Sequence, residues 1–137
     1  MQYFRDSEEL LSLFEIDPKK PGAQDFLCLC DMYAIMCRFE QYRVTVADLA
    51  AVLMRQRKLS PLVFWSRMRR AVRPLIEADA ETLRALGIPC GYRADDHSRT
   101  CPELAAEIGE AVGHGFEIDA DAAQVAADIA AACSKAR

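Results

Sequence analysis

The sequence predicts an all-α fold: one compact domain over residues 1–137, of about six or seven helices, that contains a helix-turn-helix near residues 45–76. Three observations predict it. Apolar residues recur at three- and four-residue spacing through most of the chain, and no stretch alternates as a strand would. Ser, Thr or Asp opens several of these segments, with an acidic residue three positions later. Turn-forming Pro and Gly residues fall between the periodic segments.

Composition agrees. An apolar share of 52% with 28% charged residues belongs to a globular chain and not a disordered one, and 137 residues can bury a real core. No apolar run approaches a membrane span and the N-terminus lacks a signal-peptide pattern. The expected location is the cytoplasm, with no membrane partner.

In chain order, Asp6 with Glu9 forms a capping box, and Leu10, Leu11, Leu13 and Phe14 give the first helix its apolar face. Asp17-Pro18 and Pro21-Gly22 are expected to break the chain. A helix from about Ala23 to Glu40 follows. Its Phe26, Leu27, Leu29, Cys30, Tyr33, Ala34, Met36 and Cys37 leave little of the circumference polar. Such a helix is central to the core or shared with a second copy.

The stretch from Thr45 to Ile76 organises the rest. Thr45 and Asp48 form a capping box ahead of Val46, Leu49, Ala50 and Leu53. Arg57, Lys58 and Leu59 make the candidate turn. Ser60 then caps a second helix with Pro61 at its first position, where a missing N–H costs nothing. On this helix Phe64, Trp65, Met68, Ala71, Val72 and Leu75 share one face, Ser66, Arg69, Arg70 and Arg73 the other, and Arg67 the flank. Solvated faces ordinarily mix charges of both signs, whereas this one is wholly basic. A helix-turn-helix lays such a second helix in the major groove, where arginine bonds guanine edges and phosphates. The plainer account is a helical hairpin with a solvated basic face.

Beyond Ile76, Ala80 to Leu86 reads as a short helix ended by Gly87, with Pro89 behind it. Residues 87–99 form one long polar loop. Thr100 and Glu103 open a helix whose buried side is Leu104, Ile108 and Val112 and which Gly113 and Gly115 end. Asp119 caps a last helix with a stripe of Ala122, Val125, Ala126, Ile129 and Cys133, small enough to pack closely on the core or on a second copy. These C-terminal helices, about residues 100–135, are acidic.

The net charge of −4 argues by itself against nucleic acid, but its distribution does not: residues 1–42 carry −4, residues 43–76 carry +7 and residues 77–137 carry −7. The acidic third could equally neutralise the basic helix within the fold.

Other chemistry has little support. The six cysteines include no CxxC pair and are expected to be reduced, with Cys28, Cys30 and Cys37 as core residues. Cys90, His97, Cys101 and His114 match no standard zinc spacing, and Asp95, Asp96 and His97 read as loop residues. No phosphate loop, nucleophile elbow or dinucleotide fingerprint is present. The expectation is no enzyme, no catalytic residue, no metal and no cofactor.

The segment SRMRRAVRPLIE, Ser66 to Glu77, resembles the recognition helix of the stage 0 sporulation protein A family of bacterial regulators, whose members carry Ser-Arg-apolar-Glu-Arg-Ala-Ile-Arg-His-Ala-Ile-Glu there. FEIDPKKPGAQDFLCLCDMY resembles that family's entry into its second helix. TLRALGIPCGY and RTCPELAAEIGEAV resemble the loop and helix that follow the recognition helix. The likeness runs in order from about Ser7 to Val112. It implies the all-helical C-terminal effector domain of that family, which binds promoter DNA, without a receiver domain ahead of Ser7. Arg67, Arg70 and Arg73 match family arginines that contact bases or phosphates. Arg69 replaces a glutamate, so a different DNA sequence is implied, and Pro74 replaces a histidine, so the helix is expected to kink or stop at Arg73. The segment from Thr45 to Ser66 is several residues longer than the family's, and the helix from Ala120 to Ala132 is an addition.

Two readings follow. In the first the chain is a transcriptional regulator whose partner is double-stranded DNA. Ser66, Arg67, Arg69, Arg70 and Arg73 enter the groove while Arg43, Arg55, Arg57 and Lys58 hold phosphates. Two-fold homodimers are usual for such domains, and the terminal helix could supply the interface. In the second the chain is a protein-interaction module that keeps the fold without binding DNA. Its basic face then meets an acidic partner or its own C-terminal third, through residues such as Asp119, Asp121 or Asp128.

Overall fold

The computed structural model describes residues 7–86, 88, 100–113 and 118–136. Among the described residues all regular structure is helical, in eight helices. They are α1 (Ser7–Leu13), α2 (Pro21–Met36), α3 (Val46–Arg57), α4 (Pro61–Ala71), α5 (Arg73–Ile76), α6 (Ala80–Ala85), α7 (Cys101–Gly113) and α8 (Ala120–Ala136). None of them is long and apolar enough to cross a membrane.

α2 is the central helix. Ala23, Phe26, Leu29, Cys30, Ala34 and Met36 are buried, and its neighbours are α7 and α4 above all, then α3, α8 and α1. Pro21 and Gly22, read from the sequence as breakers, instead begin this helix. Pro21 sits at a position whose N–H needs no partner, and Gly22 is buried. The helix also ends at Met36, short of the expected Glu40. The N–H groups of Arg38 and Phe39 turn tightly onto Ile35 and Met36 and carry Phe39 back into the core. Cys37 is thereby exposed and not the core residue expected, while Cys28 is half-buried and Cys30 buried.

Two glycines let helices approach α2. A Cβ on Gly22 would lie 2.5 Å from the Arg67 carbonyl oxygen of α4, and one on Gly109 of α7 would lie 2.8 Å from the Cys30 carbonyl oxygen. Both neighbours are backbone, so neither crossing has room for a side chain.

The expected second helix of the central pair divides in two, which brings the helices among the described residues to eight. Val72, at φ −110° and ψ 20°, leaves helical geometry between α4 and α5. Pro74 cannot donate to the Arg70 carbonyl and is accommodated in the first turn of α5. The break falls one residue ahead of Arg73.

The caps follow local chemistry. The Thr45 side chain accepts from the Asp48 N–H, and the Asp48 carboxylate from the Thr45 N–H. Thr100 and Glu103 bond reciprocally at α7, and Asp119 accepts from the Ala122 N–H at 2.8 Å to open α8. Asp79 caps α6 through the Thr82 N–H, a cap missed in the sequence. The expected Asp6 cap, the Gly87-Pro89 stop and, apart from residue 88, the expected 87–99 loop lie outside the described residues.

α8 packs on α3 and α2. Its Ala122, Ala126 and Cys133 are buried, Ile129 is half-buried and Val125 is exposed, so the small-residue stripe is narrower than expected. In α1, Leu10 and Leu11 are buried but Leu13 is exposed.

Candidate nucleic-acid interface

The basic stretch folds as α3, a three-residue turn and α4. Arg57 is still helical, so the turn is Lys58 to Ser60, one residue later than the sequence reading. Lys58 takes the left-handed conformation at φ 56° and ψ 44°, its N–H and that of Leu59 closing onto the carbonyls of Arg55 and Met54. Ser60 then accepts from the Val63 N–H and starts α4.

On α4 the inner face is Phe64 and Met68, with Val72 beyond them, all buried. Trp65 is half-buried and meets Phe64 edge to face, with ring centres 5.1 Å apart. Ala71 is half-buried as well. The outward face carries Ser66, Arg69 and Arg70, all exposed, and Arg73 continues it on α5. The first turn adds two exposed apolar side chains, Leu62 at 78% and Val63 at 48% exposure, which the sequence reading did not single out.

Of the nine basic and polar residues expected at a DNA surface, Arg43 is exposed ahead of α3 and the other eight separate into three groups. Ser66, Arg69, Arg70 and Arg73 face outward, with Lys58 exposed in the adjoining turn. Among the described residues Arg69 and Arg70 form no ion pair, and Arg73 donates to Glu77 at 3.0 Å in a pair 70% and 57% exposed, which water weakens. Arg55 turns toward α8 and donates to the Lys135 carbonyl at 3.0 Å, a favourable place for a cation beside a helix C-terminus.

Arg57 and Arg67 both bond Asp25 of α2; Arg67 is half-buried there, whereas Arg57 gives only its Nε and its side chain stays 41% exposed. Asp25 is 2% exposed, and each of its oxygens is taken by a different helix: Oδ1 accepts from Arg57 Nε at 3.1 Å and Oδ2 from an Arg67 terminal nitrogen at 2.6 Å. A carboxylate this buried costs several kcal/mol to desolvate unless charged donors meet it, and here two do. Asp25 was not recognised in the sequence. Its signal was present as a single acid on a helix face otherwise made of Gly22, Ala23, Phe26, Leu29 and Cys30.

Among the described residues the acidic C-terminal helix does not take up the outward arginines. Asp119 caps its own helix, Asp128 accepts from Gln124 at 2.9 Å, and α8 lies against α3 and α2. At the first turn of α7, Cys101 is buried, and burial pushes its thiol up to about 11 against the opposing pull of the Arg69 guanidinium. No group of three metal-binding side chains occurs among the described residues. Cys90, His97 and His114 lie outside them.

No family model, curated protein or solved structure matches the chain.

Proposed function

We propose that this protein binds double-stranded DNA and regulates transcription, with α3 and α4 acting as a helix-turn-helix and α4 entering the major groove. The observation that carries the reading is the outward face of α4, where Ser66, Arg69 and Arg70 stand exposed with no carboxylate paired to either arginine among the described residues. The likeness of Ser66–Glu77 to the recognition helix of sporulation regulators points the same way. Arg69 and Arg70 reach base edges, and Arg73 exchanges the exposed Glu77 carboxylate for a phosphate. Lys58 in the turn meets a second phosphate. Leu62 and Val63, at the end of the helix that enters a groove first, suit thymine methyl groups.

The same two apolar residues support a second reading. An exposed leucine and valine beside arginines also fit an acidic, partly apolar protein surface, which would make the chain an interaction module.

Fluorescence anisotropy of the purified chain against a labelled random-sequence duplex, from low to physiological salt, separates the two. DNA binding gives an affinity that falls steeply with salt and is abolished by Arg70→Glu. No binding at low salt, where phosphate attraction acts on any sequence, rejects it in favour of the interaction module.

A further inference from the structure

We infer that Asp25 is the positioning residue of the α3–α4 pair: by bonding Arg57 of α3 and drawing Arg67 of α4 inward it sets the seat of α4, and it withdraws Arg67 from the nucleic-acid contact made by the outward Ser66, Arg69 and Arg70. The second half of this statement rests on the DNA reading; the first does not.

α3 and α4 are joined only by Lys58, Leu59 and Ser60, and each leans on α2. Asp25 ties both to the same point on α2, one carboxylate oxygen to each. Arg67 is fixed at both ends. Its carbonyl oxygen rests where Gly22 leaves no side chain, and its guanidinium reaches Asp25, one helical turn further along α2. Arg67 Nε is buried without a hydrogen-bond partner, so the Asp25 contact is what orients this guanidinium. With Nε buried and one terminal nitrogen bonded to a buried carboxylate at 2.6 Å, this guanidinium has few donors left for a phosphate.

Stability alone does not require this arrangement, since apolar residues of similar size often replace a buried ion pair without loss. What the charges add is direction. A bidentate acid between two arginines is satisfied in one relative placement of three helices, whereas an apolar contact tolerates several.

Trp65 is the chain's single tryptophan and sits on α4, half-buried, so its emission reports the seat of that helix. The test compares the full chain with Asp25→Asn, Arg67→Gln and the double variant, which replaces the ion pair by an amide pair. Far-UV circular dichroism checks folding, Trp65 emission reads the seat of α4, and salt-dependent anisotropy on a random duplex reads binding. Each single variant should shift Trp65 emission to the red and weaken duplex binding by about tenfold or more. The double variant should return the emission and recover binding to within about threefold, with an unchanged salt slope.

If Arg67 itself holds a phosphate, the double variant stays as weak as Arg67→Gln and its slope is shallower by about one, which overturns the inference. Unchanged emission and binding in Arg67→Gln overturn it as well. Should Asp25→Asn fail to fold, Arg67→Lys takes its place. Lysine still offers a cation to Oδ2 and should keep the native emission where glutamine does not, and equal spectra reject the positioning role. A wild-type chain that binds no duplex sinks the DNA reading alone, and the Trp65 comparison still decides what Asp25 does.

Discussion

Gly22 of α2 lies directly against the backbone of Arg67 on α4, so close that a methyl group at position 22 would stand 2.5 Å from the Arg67 carbonyl oxygen. The contact is backbone on backbone, and no side-chain rotation relieves it. Gly22→Ala should therefore push α4 away from α2, at a cost of about 1–3 kcal/mol that outweighs the helix propensity alanine gains. Urea unfolding measures the loss, and a red shift of Trp65 identifies α4 as the helix that moved. An unchanged midpoint would mean that the two helices separate freely.

Lys58 holds a left-handed conformation, at φ 56°, that a side chain adopts at a cost of roughly 1 kcal/mol. Glycine removes that strain but is freer in the unfolded chain. Lys58→Gly should come out more stable by about 0.5 kcal/mol, while losing a phosphate contact and lowering the salt slope of DNA binding by about one. Stability and binding moving in opposite directions is the outcome to look for. A fall in both would show that the lysine side chain supports the turn.

Arg73 and Glu77 form an exposed i, i+4 pair. Such pairs contribute about 0.3–0.5 kcal/mol, so Arg73→Ala should barely change the unfolding midpoint. On the DNA reading it should nonetheless weaken duplex binding severalfold, because the arginine faces outward with Arg69 and Arg70. Glu77→Gln, which frees Arg73 and removes a negative charge, should strengthen binding. Identical affinities for wild type and both variants would take Arg73 out of the contact.

Burial raises the thiol of Cys101 to about 11 from its ordinary 9.0 and also raises those of Cys28 and Cys37 and the phenol of Tyr33. For an acid raised on folding, the native state keeps its proton where the unfolded chain has lost it. Stability contributed by Cys101 is then complete below about pH 9 and falls as pH rises from there through 11. Unfolding midpoints should decline across that window, and less so for Cys101→Ala relative to its own neutral-pH value. Equal declines would place the effect on other groups.

At the acid end, the Asp79 carboxyl is lowered by the Thr82 N–H and hydroxyl at the start of α6. A lowered acid contributes stability above its unfolded value that is lost as pH falls through the folded one. Asp79→Ala should remove this cap and flatten the corresponding part of the acid titration; an unaltered titration would assign it to other carboxylates.

What can be read from the chain is what neighbouring residues decide among themselves. The Thr45–Asp48 box, the Ser60 cap and the Asp119 cap each join residues three apart, so their chemistry is complete in a few letters. The same holds for the apolar spacing that turns Phe64 and Met68 inward and leaves Ser66, Arg69 and Arg70 outside. An all-helical protein with a basic outward face on α4 was determined at that level.

Where the remaining basic residues point was decided only by the tertiary structure. Asp25 meets Arg57 and Arg67 from 32 and 42 residues away, and Arg55 meets Lys135 from 80. Helical spacing says which side of a helix a residue occupies but not which helix lies there. Pro21-Gly22 reads as a break for the same reason: a glycine permits a turn and a close crossing equally well, and α4 lying against it selected the crossing. Periodicity follows from the geometry of one helix, whereas an ion pair between helices follows from how several of them bury their apolar faces together.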